Sequence, residues 1–103
     1  MVVRTWHGCV PLEKGDAFAE HLRKTGEEHA RGIAGNLGVA VKRMSFGAWE
    51  HFFFATWWVS LDAVKAFAGE EYALAVHYPG DERFNLVPDP YVFHHEVARM
   101  EPL

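Results

Sequence analysis

Cysteine is almost missing from this chain. Cys9 is the single example in 103 residues, which excludes an intrachain disulfide and fits a reducing compartment. Basic residues are also scarce, ten against fourteen acidic ones, for a formal net charge of -4. That deficit argues against nucleic acid or an anionic membrane surface as a partner. No apolar run approaches the roughly 18 residues of a simple membrane span. The start, MVVRTWHGC, lacks the apolar stretch and small-residue cleavage site of a secretory leader. A soluble, cytoplasmic protein is expected. Phosphate-binding glycine loops, a nucleophile elbow and zinc-ligand spacings are missing too, so no motif dictates a reaction.

Aromatic side chains are abundant instead. Half of the residues are hydrophobic and 15% are Phe, Trp or Tyr, which is incompatible with disorder and fits one domain over residues 1–103. Residues 2–10, VVRTWHGCV, read as a first strand ended by Pro11. Residues 12–30 read as a helix, with Asp16 as its candidate N-cap and Phe18 and Leu22 on its apolar stripe. Gly35-Asn36 marks a turn, and residues 37–46 alternate as a second strand. Gly47-Ala48 then predicts a hairpin into HFFFATWW, residues 51–58. Ser60 is a good N-cap for a second helix that Gly69 stops or kinks, and EEYALAVHY, residues 70–78, reads as a further helical turn or two. Residues 79–90 are a loop with three prolines, and YVFHHEVARM, residues 91–100, is the last strand.

The order β-α-β-β-α-β is a ferredoxin-like α+β sandwich, with both helices on one face of a four-stranded antiparallel sheet. HFFFATWW is apolar on both faces. Two helices cover one face only, so the other is expected against a second copy of the chain in a sheet-to-sheet homodimer.

The element order, the WHGCVP start, the stretch TWWVSLDAVKAFAGEEYALAVHYP and the loop PGDERF resemble the antibiotic biosynthesis monooxygenase-like family. The resemblance implies a dimeric α/β barrel with a pocket between sheet and helices in each protomer. Some members of that family oxygenate aromatic phenols without metal or flavin. Relatives bind and degrade haem, and others have no known activity. The resemblance also implies that His77 lies on the pocket side, where haem-degrading members place an iron ligand ten residues after a helical Trp. Here Phe67 stands at the Trp position, and no Asn occupies the first strand.

From the residues themselves, His77 and His7 are candidate acid–base groups, since imidazole suits proton transfer near neutrality. Trp58, Trp6, Phe67 and Tyr72 are candidates for binding a small aromatic or hydrophobic molecule through ring contacts and N–H or O–H donors. Strands one and three are expected to run parallel, which holds His7 and His51 more than about 10 Å apart at about 3.3 Å per residue and argues against a three-histidine metal site. Arg4 needs a carboxylate partner, for which Glu96 is the candidate. Together with what the resemblance implies, these residues give three expected functions: a cofactor-independent monooxygenase, a haem protein using His77, or a non-catalytic dimeric module for a hydrophobic ligand.

Overall fold

The computed structural model describes residues 1–98; the last two residues expected in the final strand, 99 and 100, lie outside them. Strand β1 (Val2–Pro11) leads through a 3-10 turn (Leu12–Lys14) into α1 (Gly15–Leu22), a π-helical stretch (Arg23–Glu27) and α2 (Glu28–Arg31), which form one rod. Strands β2 (Asn36–Phe46) and β3 (Trp49–Trp58) form the expected hairpin, followed by α3 (Leu61–Ala68). A 3-10 turn (Asp81–Phe84) and the short strands β4 (Val87–Pro88) and β5 (Phe93–Glu96) complete the described chain. No helix among the described residues is long and apolar enough to cross a membrane.

The sheet order is β2-β3-β1-β4, with β5 also pairing β1. β4 and β5 lie on the same edge of β1, so they act as one edge strand broken at residues 89–92. The result is the ferredoxin-like α+β architecture, with the helices on one face of an antiparallel sheet. Along β3, Glu50, Phe52, Phe54, Thr56 and Trp58 are buried under the helices, while Trp49, His51, Phe53, Ala55 and Trp57 face outward. Two apolar clusters fill the space beneath the helices. One gathers Val2, Trp58, Val64 and Phe67, and the other Val10, Phe18, Leu22, Phe52 and Phe54.

Four local expectations need correction. Lys14, not Asp16, precedes the first α-helix, and it makes no side-chain cap, because a 3-10 turn already feeds the rod. Residues 70–78 are not helical. Gly69 takes a left-handed backbone at φ 84, after which Leu74 bridges Tyr91, Ala75 N–H donates to Pro90 and Val92 N–H donates to Ala73. This segment therefore pairs with residues 90–92 instead of continuing α3. β1 and β3 are antiparallel, with His7 opposite Phe53 and Cys9 opposite His51. His7 and His51 are thus neighbours, not remote from one another. Arg4 is not held by Glu96, as described next.

Candidate functional site

A cavity of about 50 Å³ lies where the two clusters meet, between the sheet and the helical rod. Trp6, Phe18, Phe54 and Phe67 supply aromatic wall, and Thr25 and Gly26 bring the π-helical stretch against it. π-helical turns recur at functional sites because they re-aim side chains within an otherwise regular helix. Here Gly26 allows the close approach: a Cβ at that position would stand 3.2 Å from a Phe54 ring atom.

Polar groups enter this wall as well, Arg4, Tyr78 and Asp81 among them. Arg4, from the helix-facing side of β1, donates to the carbonyls of Tyr72 at 2.5 Å and Leu74 at 3.0 Å and to His94 Nε2 at 3.1 Å. Its guanidinium lies 5.6 Å from the centre of the Phe67 ring. Burial brings the Arg4 pKa down to about 10, which leaves it charged at neutral pH. Tyr78 places its hydroxyl 2.7 Å from His29 Nδ1. Burial pushes that phenol well above its ordinary range, with Arg4 opposing, so Tyr78 remains a hydrogen-bond donor. Asp81 accepts from His21 Nε2 at 2.6 Å and from the Tyr78 amide at 3.0 Å.

The expected site residues divide between two faces. His77, Phe67 and Trp6 line the cavity, with His77 exposed on the irregular segment after α3. Trp58 does not line it. That indole is fully buried against Phe67, 5.2 Å between ring centres, and its N–H donates to Thr56 at 2.7 Å. Tyr72 stands edge-on to His94 at 5.4 Å, and its backbone carbonyl, not its ring, serves Arg4. His7 is on the opposite face of the sheet, because β1 places odd-numbered residues outward. There its Nδ1 lies 3.1 Å from Asp89 Oδ2 and its Nε2 lies 2.8 Å from His51 Nδ1. His7 and Asp89 of this hydrogen-bonded row line a groove of about 360 Å³ together with Phe53 and Phe93. Among the described residues, no group of three potential ligands is arranged to hold a metal ion.

Sequence reasoning missed Asp81 in the cavity lining, and missed His21 and His29 as the partners that hold Asp81 and Tyr78. The rod residues His21, Thr25 and His29 recur at helical spacing, which was the available signal. Their partners come from a loop whose path no periodicity describes.

No family model and no curated protein matches the chain. Solved structures do. A Deinococcus radiodurans protein assigned as an antibiotic biosynthesis monooxygenase aligns over 100% of this chain and 98% of its own, with a TM-score of 0.69 at 16% identity. The fold is that of the antibiotic biosynthesis monooxygenase structures. A MhuD variant with two manganese protoporphyrin IX molecules bound per active site shares this monooxygenase fold, with a TM-score of 0.66, 21% identity and 99% of each chain covered. A Bacillus cereus protein assigned to the same monooxygenase group gives 0.66 at 18% identity, over 99% of this chain and 95% of that one. At such identities the likeness carries architecture, not chemistry.

Proposed function

We propose that this chain is a cytoplasmic, cofactor-independent monooxygenase of the pocket type, acting on a small aromatic metabolite and working as a sheet-to-sheet homodimer. The observation that carries the reading is an aromatic cavity lined by a buried cation and by Tyr78, whose hydroxyl is hydrogen-bonded to His29 behind it. Such a site suits a phenol or an anthrone-like ketone. Trp6, Phe18 and Phe67 hold the rings. The Tyr78 hydroxyl accepts a proton from the substrate while passing its own to His29, and Arg4 stabilises the resulting anion. The carbanion form then reacts with dioxygen. A methylene carbon becomes a carbonyl, one oxygen atom enters the product and the other leaves as water.

At about 50 Å³ the cavity is smaller than a substrate ring needs, so binding requires the non-helical segment after α3 to give way. The alternative, a haem protein with His77 as ligand, draws support from the fold shared with the porphyrin-bound MhuD variant and from His77 at the cavity wall. The residues do not fit a macrocycle as they stand, since Phe67 fills the space between Trp58 and His29. A non-catalytic module for a hydrophobic ligand is the remaining reading.

Oxygen uptake with a panel of anthrones and hydroquinones tests the proposal. Consumption should occur without added metal or flavin and fall by about a hundredfold in Tyr78→Phe, the usual worth of a positioned proton-transfer group. Binding of the panel without oxygen consumption would leave the ligand-module reading. A Soret band on adding haemin that is lost in His77→Ala would favour the haem reading instead.

A further inference from the structure

Arg4 is the one guanidinium in a cavity wall made mostly of rings and aliphatic groups, with Thr25, Thr56, His77, Tyr78 and Asp81 as its other polar members. It is only 4% exposed. No carboxylate among the described residues lies within ion-pair distance of its guanidinium. Its partners are neutral: two backbone carbonyls and the His94 imidazole. Asp81, the acid in the same lining, is already engaged by His21 and by the Tyr78 amide. A guanidinium carries five N–H donors. The three partners use two on Nη1 and one on Nη2, which leaves the Nε proton and the second Nη2 proton without an acceptor in the described chain.

Burying a charge without a counter-charge is costly, and a fold that retains one beside a cavity has left the counter-charge to something else. The whole chain is net negative, so it offers no general attraction for anions. Selectivity for an anion would have to be local.

We propose that the ligand of this pocket is a small planar acid bound as its anion, with its oxyanion on the unused N–H groups of Arg4 and its ring against Trp6 and Phe67. This rests on the pocket reading above and narrows it. A carboxylate or an ionised phenol or enol belongs in the site, and a neutral hydrocarbon does not.

The test titrates the full wild-type chain with 2-naphthoate, 4-nitrophenolate and the neutral 2-naphthalenemethanol. Affinity is read by calorimetry, and the site by the Arg4 Nε–H resonance of nitrogen-15-labelled protein. At least one anion should bind about tenfold or more tighter than the alcohol, and it should shift the Arg4 signal. Which anion does so separates a carboxylate from a phenolate ligand. Arg4→Met should erase the preference and Arg4→Lys should keep part of it. Because Arg4 also ties down residues 72 and 74, the wild-type comparison decides the matter even if Arg4→Met does not fold. Equal affinity for anions and alcohol overturns the proposal while leaving the pocket reading in place, as does an anion preference without a shift at Arg4. Failure of all three probes to bind overturns both.

Discussion

His94 is the residue through which Arg4 registers pH. Its Nε2 accepts from the guanidinium at 3.1 Å, so the imidazole must be neutral on that nitrogen. Burial first, then the neighbouring Arg4 and His95, hold its proton affinity below the ordinary histidine range. The unfolded chain therefore binds a proton at His94 more readily than the folded one. Its contribution to stability is complete above about 6.5, the value of a free histidine, and is lost as pH falls below it. Denaturant midpoints at neutral and mildly acidic pH should show this loss, and His94→Gln should flatten the dependence; an unchanged slope in that variant would remove His94 as its source. Little of this was legible in the sequence. Arg4 was recognisable as a charge on an apolar strand. Its partners were not, since they are carbonyls of a segment that reads as helix and folds as an irregular strap.

Among the elements, the strongest local signals translated directly. Ser60 caps α3, its hydroxyl accepting from Ala63 N–H at 3.3 Å, and Gly69 ends that helix. The β2–β3 hairpin turns at Gly47-Ala48 as expected. What failed was parity. A strand that is apolar on both faces offers no polar side to orient it, so pattern alone could not tell which of Trp57 and Trp58 points inward, or that His7 points out. β1 also holds a close contact that its sequence hides: the Trp6 indole lies over Gly8, where a Cβ would stand 2.5 Å from the ring. Gly8→Ala must therefore push the indole out of the cavity wall. It should cost about 1–3 kcal/mol, the range for overpacking a filled site. Thermal melts together with pocket-ligand affinity check this, and a variant that keeps both would show that the Trp6 ring has other room.

The whole molecule is a slab, 39 × 35 × 20 Å. Its thickness is that of one sheet and one layer of helices, so the outward sheet face has nothing above it within the chain. Phe46 is 71% exposed and Phe93 67%, with Met44, Trp49 and Phe53 also open to solvent. A patch of this kind is rare on monomers, and it supports the proposed homodimer. The Asp89–His7–His51 row would then lie inside the interface, its polar atoms satisfied by one another. Light scattering should find a dimer at micromolar concentration, and Phe53→Glu should shift it toward monomer; a stable, soluble wild-type monomer would remove the argument.

Under the proposed homodimer, that open face makes abundance a term in the free energy of the fold. A slab that completes its interior only by meeting its twin gains stability through mass action. Dilution alone, with no change of temperature, pH or sequence, would then bring the protein closer to unfolding.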